Sequence, residues 1–278
     1  MVYLKDYAQI VTEARRGQLV FPTSVNAALQ LQQALSDPDC HVEDAIRKVL
    51  AEPVLAARAV ALANSAVFCR LGGPVVTSAR GAVMRVGYRN LYTLAAAMVV
   101  RQFGARIRNP RLRICADQLW RHCAHVASLS HLLARALTRV DPDTALFAGI
   151  MHEVAGFYLL ARADDMPGLL DDPDAHMGAL HEIVTRELMR KLAVPEPVAA
   201  AIVSLRGGAI SLPPGGLRDT LLLARRLAPL RSPLARADDA VLANAAAVDA
   251  YIDGNTLIDA ILLESAEEAR SMSAALLV

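Results

Sequence analysis

The chain is short of the residues that build β-sheets, disulfide scaffolds and membrane spans. Aromatic residues make up only 4% of its 278 residues, and strands favour aromatic and β-branched side chains. Its four cysteines show no Cys-x-x-Cys spacing, which argues against a disulfide framework or a zinc motif. The longest uncharged apolar run, residues 91–100, is far shorter than the roughly 20 residues that cross a bilayer. We therefore expect no sheet, no disulfide scaffold and no membrane insertion.

Lysine is scarce as well, so arginine carries nearly all of the positive charge. The chain has three lysines, and its net charge of +1 hides a strong asymmetry. Residues 53–116 contain ten arginines and no acidic residue, whereas residues 235–278 carry a net charge of −6. Arginine binds carboxylates and phosphates through a planar fork of donors. Half of these arginines crowd into a predicted connection at residues 104–113 or just before it: Arg101, Arg106, Arg108, Arg111 and Arg113.

Three interpretations of this basic segment stay open. It is a solvated surface on which arginine replaces lysine, or it docks an acidic partner protein or the chain's own acidic C-terminal segment, or it holds an anionic small ligand. Nucleic acid is disfavoured as a partner, because few aromatic residues stand among the arginines to stack on bases.

Alanine is the residue that the chain has in abundance. It supplies 51 of the 278 residues, and it is the strongest helix former. Apolar positions recur at helical spacing between glycine and proline stops, which predicts an all-α fold. We expect an N-terminal helical lobe over residues 1–113, a second helical lobe over residues 114–234 and a C-terminal helical extension over residues 235–278. Within the second lobe the pattern predicts one helix over residues 114–140 and one continuous helix over residues 144–163.

Short motifs follow one another in a fixed order along the chain. The first half contains Phe21-Pro22, residues 52–58, residues 62–68 with Asn64 and Ser65, and residues 82–87. The second half contains residues 119–123 with Trp120 and His122, residues 147–156 with Gly149, His152, Glu153 and Gly156, and last His181-Glu182 before residues 192–195. This ordered set, over about residues 14–230, resembles the HDOD family, the HD-related output domains of bacterial signalling proteins.

The resemblance implies a relation to the HD phosphohydrolases, which hold metal ions with a helix histidine, a His-Asp pair and a later aspartate. His122 and His152-Glu153 match the first two positions, with glutamate in place of aspartate. The later aspartate would fall within residues 222–225, where the chain has Arg225, a permanent cation that repels a metal ion. The resemblance therefore implies vestigial HD positions, with no metal, no cofactor and no catalytic residue.

Each of these residues also has a purely structural interpretation. His122, His152 and Glu153 form a vestigial hydrogen-bonded cluster in the core, or they retain a weak cation site, or they line a redesigned small-molecule pocket. Trp120 is either a core anchor between the two lobes or a platform for a ligand. Asn64 and Ser65 cap the end of a helix or contact a ligand.

Together the residues and the resemblance predict a bacterial regulatory module without enzymatic activity. Scattered cysteines and the lack of an export signal favour the cytoplasm. The module would act through contacts with a signalling protein or an anionic small ligand, and homodimer formation stays open. One alternative is a metal-dependent phosphohydrolase of the HD superfamily, and another is a receptor for an anionic nucleotide second messenger.

Overall fold

The computed structural model consists of α-helices joined by short connections. It describes residues 2–20, 26–35, 37, 39–51, 53–66, 68–69, 74–170, 174–207, 209–235 and 243–277. Within these ranges there are thirteen α-helices, one π-helical turn and no β-strand, which confirms the predicted all-α fold. The motif residues Phe21 and Pro22 lie outside the described residues.

The N-terminal part of the chain forms five helices: α1 (Val2–Arg15), α2 (Asn26–Leu35), α3 (Val42–Leu50), α4 (Pro53–Ala63) and α5 (Ala79–Ala105). The second part forms six: α6 (Pro110–Leu133), α7 (Pro142–Met151), α8 (Val154–Ala163), α9 (Asp174–Lys191), α10 (Glu196–Val203) and α11 (Gly216–Leu227). The C-terminal part contains α12 (Ala245–Ile252) and α13 (Thr256–Leu277). A π-helical turn, Ala134–Thr138, extends α6 toward the end of the predicted helix.

Local sequence signals explain several helix boundaries. Proline begins α6 and α7, where its missing N–H is not needed. The side chains of Asn109 and Asp141 accept hydrogen bonds from first-turn N–H groups of these two helices. Gly87 interrupts α5, as the glycine stops in the sequence predict. Its φ of 77° lies in the left-handed region, which glycine adopts readily. The connection between α5 and α6 is shorter than the predicted residues 104–113, because both helices extend into it.

The prediction of one continuous helix over residues 144–163 is wrong. The chain leaves the helix at His152 and Glu153, and α8 starts after them. By length and composition alone, the segment Pro142–Ala163 could cross a membrane. In the fold, however, 89% of its most apolar 18-residue stretch is buried against the rest of the chain. Both helices are apolar on nearly every face, as in the core of a soluble protein. Hydrophobic periodicity therefore gives no sign of the break between them.

The core is one continuous apolar cluster that runs from Ile10 on α1 to Met272 on α13. Helix α6 lies at its centre and packs against α7, α8, α11 and α13. Trp120 is 1% exposed, which agrees with the first of its two interpretations, a core anchor, and Phe147 is 4% exposed. Cys123 is also buried, the other three cysteines are half-buried, and none of the four forms a disulfide with a described residue. Because the core crosses residues 113 and 234 without a gap, the lobe boundaries stay predictions.

Candidate functional site

Two glycines bring the elements of the site together. A Cβ at Gly149 on α7 would lie 2.4 Å from the Cα of Ala127, so only glycine lets α6 and α7 approach this closely. A Cβ at Gly156 would lie 2.8 Å from Leu234 and 3.2 Å from the Glu153 carboxylate. Because Gly156 has no side chain, the side chains of Leu234 and Glu153 can lie close to its backbone. These contacts give a physical reason for both motif glycines.

The break between α7 and α8 places His152 against His122 of α6. Their Nε2 atoms lie 3.3 Å apart, and both side chains are buried. The Nδ1 atom of His152 lies 2.6 Å from the carbonyl of Gly149, and Nδ1 of His122 lies 2.7 Å from the carbonyl of Leu230. A carbonyl accepts but cannot donate, so each Nδ1 carries the proton. When both rings are neutral, two Nε2 lone pairs face each other.

Burial keeps the two imidazole rings neutral. Desolvation lowers the pKa of His152 to about 3, although the nearby Glu153 carboxylate acts in the opposite direction. Desolvation also lowers the pKa of His122, again against the charge of Glu153. The positive charge of Arg225 lowers both values further.

Glu153 is the only carboxylate in this histidine cluster, and it is 7% exposed. Its Oε2 lies 3.8 Å from Nε2 of His181 on α9. Burial raises the pKa of Glu153, but its contacts with His181 and His152 and the positive charge of Arg225 outweigh burial and leave the pKa below its usual range. We conclude that Glu153 is ionised and that the charge of Arg225 contributes to stabilising it.

The three ligand atoms of His122, His152 and Glu153 lie within 4.8 Å of one another. Two nitrogens bound to one tetrahedral metal ion at about 2.05 Å would be roughly 3.3 to 3.4 Å apart, so the spacing fits a single cation. The charge does not, since Arg225 adds a positive charge beside the only carboxylate. A centre with two metal ions needs further acidic ligands, and among the described residues no second carboxylate joins this group of ligand atoms. The set therefore does not fit a dinuclear HD centre.

Beside the cluster lies a cleft of about 50 Å³ formed by the break between α7 and α8, by α9, α10 and α11, and by the segments that follow α10 and α11. Its polar lining is His152, Glu153, His181, Glu182, Thr185, Arg206 and Arg225. Its apolar lining is Ile202, Val203, Leu205 and Leu234. Five of these residues stand at positions that the sequence motifs single out: His152, Glu153, His181, Glu182 and Arg225. Arg206 and Thr185 belong to no motif, and no local sequence signal connects them to Glu153.

The other motif residues contact protein atoms outside this cleft. The amide of Asn64 bonds both backbone groups of Val76, at 2.8 and 2.9 Å, and Ser65 donates to the carbonyl of Leu62. Asn64 thus ties the end of α4 to the segment before α5, which extends its predicted capping role. Trp120 packs edge-on against Phe157 and under the Arg101 guanidinium, 5.1 Å from the ring centre.

Arg101, Arg108 and Arg113 of the basic segment have partners within the chain. Arg108 pairs with Asp164 at 3.2 Å and Asp165 at 2.7 Å, and Arg101 lies 3.7 Å from Asp117. Arg113 donates to the carbonyl of Ile107. Arg106 and Arg111 are exposed. In the C-terminal segment, Glu264 pairs with Arg135 and Asp249 pairs with Arg226, and both arginines lie outside the basic segment.

Comparison with known proteins identifies the family. The HDOD domain family model matches residues 21–203, which is most of the chain. The chain belongs to the HDOD family. The match ends before α11, so Arg225 lies outside the segment that carries the family pattern. No curated protein matches the chain by sequence.

Three solved structures share this HDOD fold at low sequence identity. A candidate metal-dependent phosphohydrolase from Shewanella amazonensis SB2B is 17% identical with a TM-score of 0.63, and the alignment covers 99% of both chains. A candidate signal transduction protein from Marinobacter aquaeolei VT8 is 18% identical with a TM-score of 0.63, over 99% of this chain and 66% of that one. An HDOD domain protein of unknown function from Geobacter sulfurreducens is 19% identical with a TM-score of 0.57, over 95% and 99%.

Proposed function

We propose that this HDOD domain is a cytoplasmic, non-catalytic module of bacterial signal transduction. The observation that carries the proposal is Arg225, whose charge acts on His122, His152 and Glu153 where a hydrolase would need an acidic metal ligand. A guanidinium stays charged at every physiological pH, so it stabilises the ionised Glu153 without a metal ion. The cluster then serves as a fixed polar centre between α6, α8 and α11.

The function of such a module is contact with a partner or ligand rather than bond cleavage. Hydrolysis of a phosphate ester needs a metal-generated hydroxide or an equivalent general base near the phosphorus. His152 and His122 both donate through Nδ1 to backbone carbonyls, and Glu153 faces His181, so the described cluster holds fixed internal hydrogen bonds and ion pairs. We therefore assign these residues to the stability and charge of the cleft.

A metal-dependent phosphohydrolase is the second candidate, and one observation favours it. The facing Nε2 atoms of His122 and His152 are 3.3 Å apart, and their Nδ1 atoms donate to carbonyls, as they do in many metal-binding histidines. A cation between these nitrogens would relieve the repulsion of their lone pairs. Under our proposal, this cation is held weakly at most, because Arg225 opposes it.

Metal analysis of matched variants separates the two candidates. The protein is purified without chelator and incubated with manganese, iron or zinc, and then bound metal and the hydrolysis of a chromogenic phosphodiester are measured. We expect no stoichiometric metal and no turnover in the wild type. Arg225→Asp should bind metal more tightly, because it supplies a carboxylate and removes a cation. Arg226→Asp, a change of the same charge at an exposed arginine that pairs with Asp249, should not.

The proposal fails if the wild type holds about one equivalent of metal per chain, hydrolyses the phosphodiester and loses both properties in His152→Ala. Equal metal binding by Arg225→Asp and Arg226→Asp would show that Arg225 does not control the site.

A further inference from the structure

Two arginines in the cleft beside Glu153 have no internal counter-charge at hydrogen-bond distance. Arg206 and Arg225 form no hydrogen bond or ion pair with any residue that the structure describes, although nearly all other cleft groups have one. His181 lies 3.8 Å from Glu153, and Glu182 accepts a hydrogen bond from Arg186 at 2.9 Å. Arg225 is half-buried and Arg206 is exposed at the mouth of the cleft.

The charges of the cleft do not balance. Glu182 is neutralised by Arg186, which leaves Glu153 as the single negative charge opposite Arg206 and Arg225. With histidines counted as neutral at pH 7, the cleft therefore carries one net positive charge in a partly desolvated place, where electrostatic interactions are stronger than in water. A ligand with one negative charge would balance it.

The size and walls of the cleft limit what that ligand is. A volume of about 50 Å³ exceeds one water molecule but is far below the roughly 300 Å³ at which pockets for drug-sized ligands begin. Apolar side chains form one wall: Ile202, Val203, Leu205 and Leu234. The cleft has room for one small charged group with a short apolar stem, not for a whole nucleotide.

We propose that this cleft binds a single carboxylate group, held by the guanidinium of Arg225 with Arg206 as the second cation. A carboxylate is planar, matches the donor fork of arginine and brings the one negative charge that the cleft lacks. A phosphate dianion would bring two negative charges and give the cleft, which already contains Glu153, a net negative charge. The inference rests on the proposed non-catalytic function, because it needs a cleft without a bound metal ion.

The carboxylate has two sources with the same chemistry. It belongs to a free small carboxylic acid, which would make the cleft a sensor of that acid, or to an Asp or Glu side chain of a partner protein, which would make it a docking point. In either case the carboxylate adds a charge-assisted contact between α11 and the segment that follows α10.

Titrations with simple probes test the inference in the full chain. Propionate is added while the amide NMR signals of residues 202–206 and 225 are followed, with uncharged propionamide and inorganic phosphate as comparisons. We expect saturable shifts with propionate, none with propionamide and weaker binding of phosphate. Arg225→Gln should weaken propionate binding by about tenfold or more, the usual effect of losing a charged hydrogen-bonded pair. Arg226→Gln on the same helix should change nothing.

A second variant covers the outcome in which Arg225→Gln does not fold. Arg206→Gln changes only an exposed side chain and should weaken propionate binding several-fold. The two sources are separated with blocked peptides that contain one Glu or one Gln among alanines. Tighter binding of the Glu peptide than of propionate indicates a protein partner, and equal binding indicates a free acid.

The remaining outcomes overturn the inference. These are the absence of a saturable propionate shift, an equal effect of Arg225→Gln and Arg226→Gln, or tighter binding of phosphate than of propionate. Metal content and phosphodiester hydrolysis are measured on the same samples. A metal-free, inactive protein without a propionate shift refutes only the carboxylate site, whereas a metal-loaded, active protein refutes the proposed function as well.

Discussion

Adding one methyl group at Gly149 should separate the two helices on which the site is built. In Gly149→Ala the new Cβ would lie 2.4 Å from Cα, 2.9 Å from N and 3.1 Å from Cβ of Ala127. Carbon atoms in contact prefer about 3.5 to 4.0 Å, so α6 and α7 must move apart by about 1 Å. The nearest atoms are backbone, and no side-chain rotation can relieve them.

The expected cost follows from two opposing contributions. Overpacking costs typically 1 to 3 kcal/mol, and we take about 3 kcal/mol because backbone meets backbone. Alanine gains about 1 kcal/mol over glycine in a helix, which leaves a net loss of about 2 kcal/mol in the free energy of unfolding. Urea denaturation followed by far-UV circular dichroism measures this value.

A matched control is available on α5. In Gly104→Ala the nearest atom to the new methyl group is Cβ of Ala116 at 3.5 Å, an ordinary contact. We expect this variant to be neutral or more stable by up to about 1 kcal/mol. If Gly149→Ala is as stable as Gly104→Ala, close packing of α6 and α7 does not require glycine and the reasoning is refuted.

Two further predictions concern pH and the basic segment. The pKa of His152 is about 3 in the folded chain against 6.5 in the unfolded chain, so between these values only the unfolded chain binds the proton. The free energy of unfolding should therefore fall as pH decreases below about 6.5, by up to about 1.4 kcal/mol per pH unit from this residue. Urea titrations at several pH values should give a smaller slope for His152→Gln, and equal slopes would contradict the prediction. Replacing Arg106, Arg108 and Arg111 together with alanine should leave the thermal midpoint nearly unchanged, because the three arginine side chains are exposed and Asp164 keeps its hydrogen bonds from the backbone N–H groups of residues 108 and 109. If this segment docks an acidic partner, the same change should reduce salt-dependent binding of a polyglutamate probe in fluorescence anisotropy, and unchanged binding would leave only a solvated surface.

Local sequence signals were sufficient for most of the fold. Alanine content and the scarcity of aromatic residues predicted helices without strands, and proline and glycine stops predicted most of their boundaries. These signals act over a few residues, so a single sequence contains them. They failed at residues 152–153, since α7 and α8 are buried on nearly every face and the apolar pattern continues through the break.

The sequence by itself determined the helical fold, the family and the three HD-motif positions His122, His152 and Glu153. Only the tertiary structure decided what surrounds them. It showed that neighbouring atoms approach Gly149 and Gly156 too closely for a larger residue to fit without displacing them. It also showed that Arg108 pairs with Asp164 and Asp165, and that Arg206 and Arg225 line the same cleft. The reason is physical, because contacts between side chains far apart in the chain depend on how the helices pack. Helical periodicity shows which face of a helix is apolar but not which other helix that face packs against.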